Sequence, residues 1–175
     1  MDLLDSLTAL AAAQSLSQIQ DIVRRCARAL LGADGVTFVL LEDGQCHYAE
    51  EDSIEPLWKG GRFPATTCLS GWVMQNNSPA VVPDVFADAR IPHDVYRRTF
   101  VKSVLMVPIR VHEPVAAIGA YWATPHEPSM IEQRTLQALA DAASLALRNA
   151  HLVSELQKTL GAERSARQML SRQTG

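Results

Sequence analysis

Three thiols and one loop-rich stretch hold most of the side chains able to do chemistry in this 175-residue chain. Cys26, Cys46 and Cys68 are odd in number and widely spaced, with no C-x-x-C pair, which predicts reduced thiols and neither a disulfide framework nor a structural zinc site. Cys68 lies within residues 53–102, where a nucleophilic role needs a low-pKa thiol and a second thiol to resolve the intermediate. No second cysteine lies in that stretch, so Cys68 reads as a small buried residue without an evident partner. His93 presents an imidazole that in an apolar cavity would ligate haem iron, against the plainer reading of a solvent-facing loop histidine. His112 and His126 read as turn residues, and His47 makes no joint metal site with Cys46, because neighbouring strand residues face opposite ways.

Asp84, Asp88 and Arg90 read either as polar anchors for a ligand or as local partners, Asp84 capping a short helix and Asp88 pairing with Arg90. Arg97, Arg98 and Lys102 form a small basic cluster, suited to an anionic ligand but more simply solvated. Trp72 reads as core, and Trp58 as core or a pocket lid. The candidate ligand contacts are therefore Trp58, Arg62, Cys68, Asp84, Phe86, Asp88, Arg90, His93, Tyr96, Arg97, Phe100 and Tyr121. No catalytic or metal-binding set is expected: G-x-S-x-G, G-x-x-x-x-G-K, H-E-x-x-H and a glycine-rich dinucleotide turn are all missing from the sequence, which shifts the reading from catalysis to binding.

Sixteen Lys and Arg against nineteen Asp and Glu leave a net charge of −3, so no cationic field exists to hold nucleic acid. The acidic start Met-Asp-Leu-Leu-Asp is unlike a secretory leader, and no apolar run approaches the roughly 18 residues of a membrane span. A cytoplasmic protein without membrane insertion is expected, with one core plus a tail.

The elements that must position these residues follow from periodicity. Leu3, Leu4, Leu7 and Leu10, then Ile19, Val23, Cys26, Ala27 and Leu31, have helical spacing, interrupted near residues 14–17. Ser17 and Gln20 have capping-box spacing for the second helix, and Gly32 closes it. Val36–Leu41, Asp43-Gly44 and Gln45–Glu50 read as a hairpin. Ser103–Val111 and Val115–Ala123, joined by His112-Glu113-Pro114, form a second one, apolar on both faces and so central in a sheet covered on both sides. Residues 53–102, rich in proline and without sustained period, are expected to cover one face as irregular, concave chain where a ligand would bind. Ser129 and Glu132 open a last helix burying Ile131, Leu136, Leu139, Ala140, Ala143, Leu147 and Ala150, which continues past a weak interruption at Gly161 toward Gly175. Leu145, Leu152, Leu156 and Leu170 make a heptad seam broken by Asn149, Thr159 and Glu163.

Taken in order, Leu31-Gly-Ala-Asp-Gly-Val-Thr-Phe-Val-Leu-Leu, Leu69-Ser-Gly-Trp-Val, Ser78-Pro-Ala-Val-Val-Pro-Asp-Val with Asp88-Ala-Arg-Ile, Lys102-Ser-Val-Leu-Met-Val-Pro-Ile, and Ala117-Ala-Ile-Gly-Ala-Tyr-Trp with the Leu139–Leu152 helix resemble the GAF family of sensory domains over roughly residues 5–155. The resemblance implies an α+β, GAF/PAS-like fold: about six antiparallel strands, terminal helices on one face, and a ligand pocket of loops and short helices on the other. It implies a GAF domain over 1–155 and a signalling helix or coiled-coil linker over 156–175. It also implies a non-catalytic sensor of a small molecule, acting on a C-terminal output domain such as a histidine kinase, although the sequence shows no phosphoacceptor-histidine box. A parallel homodimer through Leu4, Leu7, Leu145, Leu152 and Leu156 is expected from the apolar seams of the terminal helices. The ligand stays open. A covalent bilin is disfavoured because Ile91–Phe100 holds no thiol, while haem remains a possibility through His93. Two alternatives stand beside this reading. One is a thiol-based enzyme similar to the GAF reductases of free methionine sulfoxide, which carry Cys-Gly where this chain has Ser70-Gly71. The other is a ligand-free dimerisation module.

Overall fold

The computed structural model describes residues 1–110 and 114–173. Two N-terminal helices, α1 (Leu3–Ala12) and α2 (Leu16–Leu31), precede a hairpin of β1 (Gly35–Glu42) and β2 (Gln45–Ser53). Next come β3 (Arg62–Pro64), α3 (Leu69–Asn76), β4 (Ala80–Val82), a 3-10 turn at Val85–Ala87 and α4 (His93–Tyr96). The chain ends with β5 (Ser103–Arg110), β6 (Pro114–Trp122) and the 44-residue α5 (Met130–Gln173). Val111, His112 and Glu113 of the expected second hairpin lie outside the described residues. No described helix is long and apolar enough to cross a membrane.

Local chemistry sets the ends of these elements. Asp2 and Asp5 form a capping box on α1. The cap of α2 is Ser15 and not Ser17: the Ser15 hydroxyl accepts the Gln18 amide at 3.2 Å, while the Gln18 side chain accepts the Gln14 amide at 2.7 Å. Both serines have a glutamine three residues on, and the helix starts at the one that also frees Leu16 to enter it. Gly32 ends α2 in the left-handed conformation, φ 58°. Asp43 (φ 51°) and Gly44 (φ 73°) turn the first hairpin with the paired positive φ of a tight two-residue loop. Ser129 and Glu132 cap α5 reciprocally, at 3.2 and 2.7 Å.

All six strands join one antiparallel sheet in the order β3-β2-β1-β6-β5-β4. The doubly apolar β5 and β6 sit inside it, as their pattern predicts. The stretch 53–102 is not wholly irregular: its β3 and β4, three residues each, supply both edges. Helices α1, α2 and α5 cover one face, burying Leu10, Ile19, Val23, Leu136 and Leu139 on Phe38, Leu105, Ile109 and Ile118. Each such side chain contributes about 1.5–3 kcal/mol by leaving water. Segment 53–102 covers the other face, over Val39, Cys46, Tyr48, Val104, Met106 and Tyr121. The β1–β2 register shifts between Phe38 and Val39, whose partners are Glu50 and Tyr48, so the bulge at Ala49 keeps Cys46 and Tyr48 on the loop side.

Two expectations for α5 need correction. Ile131 is 77% exposed, because it lies one turn before the helix first meets the sheet at Leu136. Gly161 does not interrupt the helix, since nothing within 4 Å crowds it and the flanking residues favour helix strongly enough to carry one glycine. From His151 to Gln173 every residue is exposed, so the second half of α5 leaves the core behind.

Candidate functional site

The loop face is organised by the first turn of α3. Cys68 is its N-cap residue, and Gly71 lies against the backbone at Ala65, where an added Cβ would come within 1.7 Å of the Ala65 carbonyl oxygen. Only glycine lets residues 64–68 fold flat onto the helix start. Pro64 then accepts from the Thr67 amide at 3.0 Å, the Thr67 hydroxyl at 2.9 Å and the Cys68 thiol at 3.5 Å. The Leu69-Ser-Gly-Trp-Val string is therefore a device for holding a thiol at a helix N-terminus.

Beside it stands a cluster of aromatic rings. Tyr121 of β6 lies over Gly119, where a Cβ would sit 2.4 Å from its hydroxyl, and that hydroxyl bonds Thr37 at 2.8 Å. The Tyr48 hydroxyl meets Ser70 Oγ at 3.2 Å. Trp58 closes the cluster, its ring centroid 4.8 Å from that of Tyr96 and 5.5 Å from those of Tyr48 and Tyr121. Glu51 fixes Trp58 in place by accepting the backbone amides of Leu57, Trp58 and Lys59 at 3.0–3.1 Å. Burial raises the pKa of Tyr48, Tyr96 and Tyr121, so all three phenols keep their protons. The Tyr96 hydroxyl is buried with no hydrogen-bond partner among the described residues.

Cys68 has a partner after all. Cys46, on the loop side of β2, shares its buried cluster, and the Ser70 hydroxyl lies 3.3 Å from Cys68 Sγ. The neighbouring Cys46 side chain, then the Ser70 hydroxyl and the Gly71 and Ser70 amides, hold Cys68 below the ordinary thiol range against the opposing effect of burial. Cys46 moves up, through the neighbouring Cys68 side chain and through burial. Of the two, Cys68 is thus the more easily ionised thiol and Cys46 the one that holds its proton more firmly. Cys26 lies across the sheet in the helix-side core. No group of three or more His, Cys, Asp or Glu among the described residues could hold a metal ion.

Two cavities adjoin the thiol. An inner one of about 80 Å³ is lined by Tyr48, Trp58, Phe63, Leu69, Val95 and Tyr96, and an outer one of about 320 Å³ by Ala65, Trp72, Gln75, Arg90 and Ile91; Thr67, Cys68 and Pro92 border both. Arg90 lies over the Trp72 ring at 4.3 Å and pairs with Asp88 at 2.6 Å, which lowers the Asp88 pKa.

Of the twelve candidate contacts, Trp58, Cys68, Arg90 and Tyr96 line these cavities, and Tyr121 packs behind Trp58. The others do not line them. Asp84 caps the 3-10 turn through the Phe86 amide at 3.0 Å, Phe86 faces His93 and Lys102, and Asp88 is occupied by Arg90. His93 is half-buried and not free in solvent: its Nε2 lies 3.0 Å from the Asp88 carbonyl oxygen. Arg97 pairs with the exposed Asp94, Arg62 with Glu42 at the sheet edge, and the Phe100 ring packs beside Gly35. Sequence reading missed Cys46, Ser70, Tyr48 and Glu51. For the first and third a signal existed, since Cys46 and Tyr48 are two apart in a strand and share a face.

No curated protein sequence matches this chain. Among solved structures it resembles the GAF domain of an Acinetobacter phosphoenolpyruvate-protein phosphotransferase, at TM-score 0.74 and 18% identity over 89% of this chain and 99% of that one. It is also similar to a free methionine-R-sulfoxide reductase from Neisseria meningitidis solved with its substrate, at TM-score 0.75 and 15% identity over 86% and 89% of the two chains. A phycocyanobilin-bound GAF domain from a cyanobacterial phytochrome follows at TM-score 0.73 and 21% identity, covering 87% and 97%. At these identities the likeness is one of fold. The sequence itself matches the GAF domain family over residues 13–148, from the start of α2 to the point where α5 leaves the core, and the chain belongs to that family.

Proposed function

We infer that this GAF domain is a non-catalytic regulatory module that binds a small molecule in the two cavities of the loop face and passes the change through α5 to an output domain, a histidine kinase being the first candidate. The observation that carries this reading is the buried, unpartnered Tyr96 hydroxyl beside the inner cavity. An unsatisfied buried hydroxyl costs about 1–3 kcal/mol, which a ligand with a hydrogen-bonding edge offsets on binding. The aromatic walls favour a flat or compact apolar body, and 320 Å³ falls at the small end of ligand pockets, about 300–1,000 Å³. A tetrapyrrole of the kind held by the phytochrome relative would need Trp58 and its supporting loop to move. Ligand entry past Trp58 alters the packing of Tyr121 on β6, beside β5, which α5 covers. The module acts in the cytoplasm as a parallel homodimer, with Leu4, Leu145, Leu152 and Leu156 exposed for the contact and Leu7 at its edge.

The test is an absorbance spectrum of the purified protein followed by thermal-shift screening of metabolites, with Tyr96→Phe as the diagnostic variant. A ligand at a hundred times its Kd adds about 2.7 kcal/mol of stability. Tyr96→Phe is expected to make the ligand-free protein more stable, by up to about 1–3 kcal/mol, since it removes a buried hydroxyl without a partner, and to weaken the ligand response. A destabilised ligand-free variant that keeps the full response overturns the assignment, and a screen with no response favours the ligand-free dimerisation module.

A further inference from the structure

The two paired thiols are not used by that reading. We propose that Cys46 and Cys68 are a reversible dithiol–disulfide pair, oxidised by a hydroperoxide arriving through the outer cavity, which gives the loop face a redox input of its own. The proposal stands on the placement of the sulfurs and does not depend on the small-molecule reading.

Three features single the pair out. The β2–β3 register sets Cys46 opposite Phe63, and the Cys68 thiol reaches the Pro64 carbonyl at 3.5 Å, so both residues meet in one buried cluster at the same end of β3. Ser70 sits between them and Tyr48, supplying a hydroxyl that serves either sulfur as its charge changes. Access is unequal: Cys68 borders both cavities and is 7% exposed, whereas Cys46 is wholly buried. One thiol is placed to attack and the other to resolve. The helix N-terminus under Cys68 supports its thiolate through the Ser70 and Gly71 amides.

The steps balance. The Cys68 thiolate attacks the distal oxygen of the hydroperoxide, the O–O bond breaks, and the departing alkoxide or hydroxide takes a proton. Cys68 is oxidised to the sulfenic acid and the peroxide is reduced to alcohol or water. Cys46 sulfur then attacks Cys68 sulfur, the S–O bond breaks, and the hydroxide leaves as water with the Cys46 proton. Two thiols and one hydroperoxide thus give one disulfide, one alcohol or water, and one water. The new bond ties β2 to the start of α3 and draws Ser70 from Tyr48, so it reshapes the wall of the inner cavity. A dithiol reductant resets the pair.

The experiment uses the reduced full chain, one equivalent of hydrogen peroxide, and alkylation of remaining thiols under denaturing conditions. Peptide mapping is expected to show Cys46 linked to Cys68 within one chain and Cys26 alkylated, with Cys68 oxidised about tenfold or more faster than Cys26. Cys46→Ser is expected to stop at a sulfenic acid on Cys68 that a dimedone-type probe traps, and Cys26→Ser to change nothing. Because the first readout is on the unmodified protein, poor folding of a variant does not blunt it. Three results overturn the proposal: oxidation of Cys26 as fast as Cys68, a disulfide between chains in place of Cys46–Cys68, or a Cys46–Cys68 bond formed with free methionine sulfoxide but not with peroxide. Ligand binding that persists after the disulfide proposal fails leaves the small-molecule reading standing, and the reverse holds as well.

Discussion

The two faces of this sheet share the strands β1, β5 and β6 yet are built from different chemistry. Toward the helices the core is almost wholly aliphatic, and the buried hydroxyls of Ser6 and Ser144 are settled on the backbone carbonyls of Asp2 and Arg110. Toward the loops the same strands meet three buried tyrosines, two thiols, Thr37 and Ser70, with one phenol unpartnered and two cavities beside it. The helix face keeps few polar atoms inside, although Arg24 Nε and Gln137 Oε1 on its helices are also buried without a hydrogen-bond partner among the described residues. The loop face keeps a cluster of them, at a cost in stability, and its groups can be completed by something from outside. The contrast assigns stability to one layer and response to the other.

Truncation should expose this division most strongly. Leu139 is fully buried between α5 and the sheet, and Leu139→Ala is expected to cost about 2–5 kcal/mol, read as a lower urea midpoint with unchanged slope. Trp58 is larger but half-buried and held by a loop that Glu51 ties to the backbone. Trp58→Ala is expected to cost about 2 kcal/mol or less while enlarging the inner cavity. Equal losses at the two positions would break the comparison.

Alkaline pH offers a middle-sized test on the loop face alone. In the unfolded chain a phenol ionises near pH 10, about its reference value. Burial raises that pKa in the folded chain for Tyr48, Tyr96 and Tyr121, so between the unfolded and folded values the unfolded state has released protons that the folded state retains. The stability these groups contribute is fully present below about pH 10 and is lost as pH rises toward the folded values, by about 1.4 kcal/mol per pH unit for each phenol. Tyr121→Phe is expected to cost about 1 kcal/mol at neutral pH through its bond to Thr37. It should also flatten the alkaline limb by one phenol's share. An unchanged limb in urea titrations from pH 9.5 to 11.5 would show that Tyr121 is not among the groups that resist ionisation.

Sequence periodicity made the helix face readable, because each side chain there obeys a local rule: apolar residues at helical spacing in α2 and α5, capping pairs, and the Asp43-Gly44 turn. The displaced cap at Ser15 shows the limit of even those rules, since two Ser/Gln pairs compete two residues apart. Near-neighbour contacts of the loop face were also legible, such as Asp84 on Phe86 and Asp88 with Arg90. The thiol pair was not. Cys46 and Cys68 meet only because β3 folds back on β2 and Gly71 admits the turn before α3, and three-residue strands leave no period to read. The same holds for Glu51, whose carboxylate serves amides six to eight residues away.

The smallest expected effect on folding comes from the end of α5, and it sharpens what the helix face is for. Up to Ala146 this helix contributes buried residues to the core, yet beyond it Leu152 and Leu156 are 57% and 60% exposed, in line with Leu145 at 59%. No described residue covers them, and in the parallel dimer a second copy would bury them. Leu152→Lys with Leu156→Lys should then shift the unfolding midpoint of dilute protein by no more than about 0.5 kcal/mol, as for other surface changes. The double variant should sediment as a monomer at concentrations where the parent sediments as a dimer. A parent that is monomeric throughout removes the dimer from the proposal, and a double variant that unfolds early would mean that this part of α5 belongs to the core and that the helix face extends further than its buried residues indicate.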